Sequence, residues 1–187
     1  MTSVRLITAA LTLFMAWPSF AQDWIEFVDR TERFSVNFPG NPMVKDTTYT
    51  SEDGKALPAR VYTAQEDMNR YIATVVNLNA LEPTFVRGSI AHAAWNFRKR
   101  GGEVTYDAFA QVDRIEGHQL QITNRDKSRT FVAIHLHERR LYILEATVPP
   151  GWPPPGDFQQ SLSILDDEGK RIRYNLDADG NRTTRTR

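Results

Sequence analysis

The sequence predicts an α+β domain built on an antiparallel sheet with one long and one short helix. Three observations carry this reading. Many strand-like segments are separated by short polar turns, only one long stretch has helical period, and no regular βαβ rhythm runs through the chain.

The elements follow in order. Phe34, Val36 and Phe38 alternate with Arg33, Ser35 and Asn37, the period-2 mark of a strand with one face covered. Pro39-Gly40-Asn41-Pro42 stops it, because proline cannot donate to a ladder and glycine relaxes the turn. Val44 to Thr50 and Leu57 to Ala64 flank Ser51-Glu52-Asp53-Gly54, whose Asp-Gly pair reads as a hairpin. Tyr71 to Leu78 is apolar on both faces, so it belongs inside a sheet covered from both sides.

Residues 83 to 100 change period. Pro83 suits a first helical turn, and Val86, Ile90, Ala93, Ala94 and Phe97 fall on one stripe. Arg98, Lys99 and Arg100 favour the negative end of the helix dipole, and Gly101 supplies a stop. Strand patterns return at 104–112, 115–123, 130–136 and 140–148, separated by short turns that imply antiparallel neighbours. Pro149 to Gly156 holds five prolines and Trp152, a stiff connection. Phe158, Leu162 and Leu165 then predict a second, shorter helix. Residues 166–187 are polar and turn-rich, with one hairpin expected. Phe34, Val36, Phe38, Val86, Ile90, Phe97, Tyr142 and Leu144 are the predicted core.

The ends bound the location. Arg5 precedes an uncharged, mostly apolar stretch from Leu6 to Trp17, and Ser19-Phe20-Ala21 is a small-residue cleavage site. The apolar run is shorter than the roughly 20 residues a bilayer span needs. Residues 1–21 therefore read as a cleavable signal peptide, 22–165 as one domain and 166–187 as a tail. The mature protein is expected to be periplasmic or secreted and not membrane-spanning. With no cysteine, it has neither disulfide staples nor an acylated anchor. A formal net charge of +0 gives no global field to draw in nucleic acid.

Three segments carry a family resemblance. Phe34-Ser35-Val36-Asn37-Phe38-Pro39-Gly40-Asn41-Pro42 resembles the opening strand of PsbP-like bacterial envelope proteins. Arg139-Arg140-Leu141-Tyr142-Ile143-Leu144-Glu145-Ala146 resembles their late hairpin strand, and Phe158-Gln159-Gln160-Ser161-Leu162-Ser163-Ile164-Leu165 their closing helix. The resemblance covers roughly residues 24 to 165 and implies an α/β/α sandwich. It also implies a protein that binds other proteins rather than a catalyst, and no functional residue transfers through it. In the tail, Gly169, Tyr174, Asp177, Gly180 and Asn181-Arg182 sit at the spacing of one YD-type repeat unit, at most a hairpin.

Several constellations deserve weighing for chemistry. His135 and His137 lie two apart in a strand, so both imidazoles share one face, a spacing used by sheet metal sites. His118 is the residue that would join them from the preceding strand; otherwise the pair lies on a solvated face. Asn175, Asp177, Asp179 and Gly180 match the first half of a calcium loop, but Thr186 stands where a glutamate belongs. Trp95 lies about 180 degrees from the apolar stripe of the long helix, with His92 and Lys99 beside it. It is either a binding anchor or covered by the segment around Trp24 or the proline-rich loop. Trp152, between prolines, is a second anchor for a partner. Lys170, Arg171, Arg173, Arg182, Arg185 and Arg187 make the end of the tail basic. No G-x-S-x-G elbow, H-E-x-x-H helix, phosphate-cradling glycine loop or other cofactor motif occurs. The leading expectation is an exported, non-catalytic factor that binds a protein of the envelope or of a membrane complex. The alternative is a small metal-dependent or ligand-binding enzyme using the His135/His137 face.

Overall fold

Period-2 patterning over most of the chain yields strands wherever it is strong. The computed structural model describes residues 24–184. The predicted leader lies outside them. In chain order the elements are β1 (Trp24–Asp29), β2 (Phe34–Pro39), β3 (Met43–Thr50), β4 (Ala56–Glu66), β5 (Asn69–Asn77), α1 (Pro83–Arg98), β6 (Glu103–Val112), β7 (Ile115–Thr123), β8 (Arg129–His137), β9 (Arg140–Val148), α2 (Gly156–Gln159), β10 (Ser163–Ile164), β11 (Tyr174–Leu176) and β12 (Arg182–Thr184).

The frame is a seven-stranded antiparallel sheet in the order β3-β4-β5-β9-β8-β7-β6. The predicted α+β class on an antiparallel sheet is what forms. Long strands β5, β8 and β9 are apolar on both faces because both faces are covered. On one face α1 buries Val86, Ala93, Ala94 and Phe97 against Val76, Leu120, Val132, Ile134 and Ile143. On the other, β1-β2-β10 form a three-stranded sheet carrying α2. Phe34, Val36, Phe38 and Phe158 pack there against Tyr62, Tyr71, Tyr142 and Leu144. The second outer layer is thus mainly strand. Of the predicted core, only Ile90 is partly exposed, packed at the margin of the helix cluster.

The helix ends as its sequence requires. Gly101 and Gly102 both have positive φ, and a Cβ on Gly102 would lie 2.7 Å from the Thr123 carbonyl oxygen. Only glycine lets the chain turn so closely over β7.

Three local features differ from the sequence reading. Ser35 is buried because β2 is the middle strand of its sheet, and its Oγ donates to Glu26 at 2.7 Å. The short helix is a single turn, Gly156–Gln159, and Leu162 and Leu165 are not on it. Ser163 and Ile164 instead pair with Ser35 and Phe34, since extended backbone there completes a ladder that a helix would leave open. The tail carries the expected hairpin, β11 with β12. Its first half is tied to the domain: Ile172 joins the core and Leu165 bridges to Arg171.

Candidate functional site

Burying the apolar stripe of α1 turns Trp95 outward, and it is 50% exposed. Neither Trp24 nor the proline-rich loop covers it, since Trp24 and Trp152 both border a cavity with Tyr71, on the other face of the sheet. One turn on, Lys99 places its Nζ 3.7 Å from the Trp95 ring centroid, a cation–π contact. One turn back, the His92 ring lies 6.2 Å away, and its Nε2 is 3.2 Å from the Thr50 carbonyl oxygen at the end of β3. From the adjoining hairpin the Glu52 carboxylate reaches over Gly88, with Oε2 3.0 Å from where a Cβ would stand. Glu52, Gly88, Ala91, His92, Trp95 and Arg98 line an open hollow of about 590 Å³. Of the four predicted partner residues, the structure brings together Trp95, His92 and Lys99 and leaves Trp152 apart.

The hollow continues toward the sheet edge through an ion network. Arg98 donates Nε and Nη2 to the two oxygens of Asp107 at 2.7 and 2.8 Å. His118 Nε2 lies 2.5 Å from Asp107 Oδ1. The Arg98 guanidinium is the main reason the Asp107 carboxyl is lowered to about 2. This fork ties the C-terminus of α1 to β6, which is an edge strand. Phe109 pairs with His118 and Val104 with Ile122, so both point to the helix side. Phe109 is 65% exposed there. Sequence reasoning missed Phe109 and the Arg98–Asp107–His118 network. The only signal was that β6 carries apolar residues on both faces, which a strand buried on both sides also does.

The histidine pair does lie on one face, but not a solvated one. His135 is 3% exposed, and burial lowers it to about 4. It sits opposite Gly117, where a Cβ would come within 2.3 Å of its Nδ1. That Nδ1 has no protein partner among the described residues. His137 Nε2 is 2.9 Å from the Tyr174 hydroxyl of the tail. His118 does not approach them: its register partner is Ile134, which places it on the opposite face. Among the described residues no group of three or more His, Cys, Asp or Glu side chains gathers to hold a metal ion. The calcium-like letters in the tail serve the hairpin turn instead. Asp177 Oδ1 accepts from the amides of Asp179 and Asn181 at 3.0 and 2.7 Å.

Trp152 is half-buried rather than held out by its prolines. Its carbonyl oxygen accepts from Arg129 Nη2. It borders a cavity of about 250 Å³ together with Trp24 and Tyr71, whose rings meet edge-on at 5.1 Å.

No family model matches the chain, and no curated protein matches it. Among solved structures it is similar to the solution structure of cyanobacterial PsbP from Synechocystis sp. PCC 6803. That match has 9% identity and a TM-score of 0.46, over 73% of this chain and 86% of that one. It is also similar to a DUF4853 family protein from Actinomyces odontolyticus ATCC 17982, at 12% identity and a TM-score of 0.25, over 81% and 75% of the two chains. Neither likeness bears on the role of this chain.

Proposed function

We propose that this is an exported, non-catalytic protein that binds a protein partner of the cell envelope through the Trp95 face of α1. The observation that carries the reading is a half-exposed tryptophan bordering an open hollow, capped by Lys99 and fixed from below by a buried helix stripe. Such a residue loses little freedom on binding and offers large contact area, the profile of a hot spot. The exposed Phe109 on the same side of the sheet extends the surface, and the Arg98–Asp107 fork holds the two parts in register. Export rests on the leader pattern of residues 1–21. Among the described residues no helix is long and apolar enough to cross a membrane.

The experiment is capture from envelope extract by the mature protein and by its Trp95→Ala variant. The proposal expects a specific captured protein to be lost by about 30-fold or more when this hot spot is truncated, with the thermal midpoint held within a few degrees. Equal capture by both proteins refutes the assignment of this face.

A further inference from the structure

β6 has the composition of an interior strand and the place of an outer one. Val104 and Phe109 on its helix side and Tyr106 on the other are all exposed, and among the described residues it pairs only with β7. Its turn fixes which backbone groups are free. Asp113 and Arg114 both have positive φ, the two-residue turn of a tight hairpin, and Val112 closes it opposite Ile115. That closing pair is hydrogen-bonded, so along the antiparallel ladder Ala110 and Ala108 turn their backbone groups to β7. Asp107, Phe109 and Gln111 turn theirs outward. The register shift between Val104 and Tyr106 interrupts the ladder, which makes residues 106–112 its usable outer length. Among the described residues, the tail's hydrogen bonds to this hairpin fall on Asp113 in the turn and leave the edge open.

An open edge with apolar side chains on both faces is a template for another strand. We infer that β6 pairs antiparallel with β6 of a second copy about a two-fold axis at Phe109, joining two seven-stranded sheets into one. Charge and size select that register. Asp107 then stands opposite the neutral Gln111 of the second copy, Ala108 opposite Ala110, and Tyr106 opposite Val112. The two exposed Phe109 rings cover each other at the axis. Glu103 and Arg114 are both exposed and have no ion pair among the described residues, and each is brought towards the other's counterpart in the second copy. An axis at Asp107 would set two carboxylates face to face. One at Ala108 would bring Glu103 to Asp113 rather than to Arg114, and one at Ala110 would run Asp107 into the turn. Such a two-fold axis is perpendicular to the sheet, so both α1 helices and both Trp95 hollows lie on the same side. The pairing does not rest on the Trp95 reading, because its contacts are made by the β6 edge.

The test is sedimentation equilibrium of the mature protein from about 1 μM to about 500 μM, with a dimer constant of about 100 μM or tighter expected. Gln111 is exposed, so its substitutions leave the core alone. Gln111→Lys places a cation opposite Asp107 twice per dimer and should tighten association about 3-fold, whereas Gln111→Glu should weaken it by a similar factor. Phe109→Glu sets two like charges on the axis and should weaken it about 10-fold or more. Amide hydrogen exchange reads the backbone directly. The amides of Phe109 and Gln111 should gain protection as concentration rises, while those of Ala108 and Ala110 are protected throughout. A protein that stays monomeric across the range overturns the inference. So does a dimer that responds equally to Gln111→Lys and Gln111→Glu, both folded by thermal melt, or one that leaves the Phe109 amide unprotected.

Discussion

Acidification should destabilise this protein through His135 well before its carboxylates titrate. The residue is buried against Gly117 on β7, and desolvation takes its folded-state value from 6.5 down to about 4. A base whose folded value is depressed contributes no penalty above its unfolded value. Stability is then lost as pH falls from 6.5 toward 4 and is constant below that. At roughly 1.4 kcal/mol per unit, the full gap of about 2.5 units corresponds to about 3 kcal/mol. Between about pH 7.5 and about pH 5 the loss from this one group is about 2 kcal/mol. Urea denaturation of wild type and His135→Gln across that range checks it. Other groups titrate in both proteins, so the difference between the two curves isolates His135. A difference independent of pH refutes the buried, neutral imidazole.

Three further expectations follow from packing and processing. Phe97→Ala removes the last ring of the buried helix stripe and should cost about 3–5 kcal/mol by chemical denaturation; a cost below about 1 kcal/mol contradicts the layer assigned to α1. Gly117→Ala places a Cβ within 2.4 Å of the Ile134 carbonyl oxygen and against the His135 ring, so it should destabilise by about 1–3 kcal/mol, read as a lowered midpoint. N-terminal sequencing of the protein recovered from the periplasmic or secreted fraction should begin at Gln22, and an intact Met1 on folded, exported protein contradicts the leader.

Much of the frame was legible because its period is strong. The stripe Val86, Ala93, Ala94 and Phe97 specified α1 and its buried face, and the alternation of Phe34, Val36 and Phe38 specified β2. Short pieces were not. β10 has two residues, too few for any period, and it forms only because β2 offers an open ladder at Phe34 and Ser35. In β1, Trp24 packs on Tyr71 of β5 and Phe27 on Tyr62 of β4 as well as on Phe34 and Phe38 of β2, so much of its burial comes from residues distant in sequence. Period 2 correctly placed His135 and His137 together, but it cannot say which face is covered. The run from Phe131 to Leu136, interrupted only by His135, was the available sign that both faces are. At the candidate site, Trp95, His92 and Lys99 followed from helical spacing, whereas Phe109 required knowing that β6 is an edge strand. That depends on strand order, which local pattern does not encode.

The central claim is that the Trp95 hollow touches a partner in the cell. Photo-cross-linking tests it most directly, with p-benzoylphenylalanine placed at Ala91 in the hollow and, as a control, at Met43 on the opposite edge strand. Both positions are exposed, so neither change disturbs the core. The account predicts one dominant cross-linked product from position 91 that position 43 does not give and that Trp95→Ala abolishes. Identical products from the two positions, or a product from position 91 indifferent to Trp95→Ala, would contradict it.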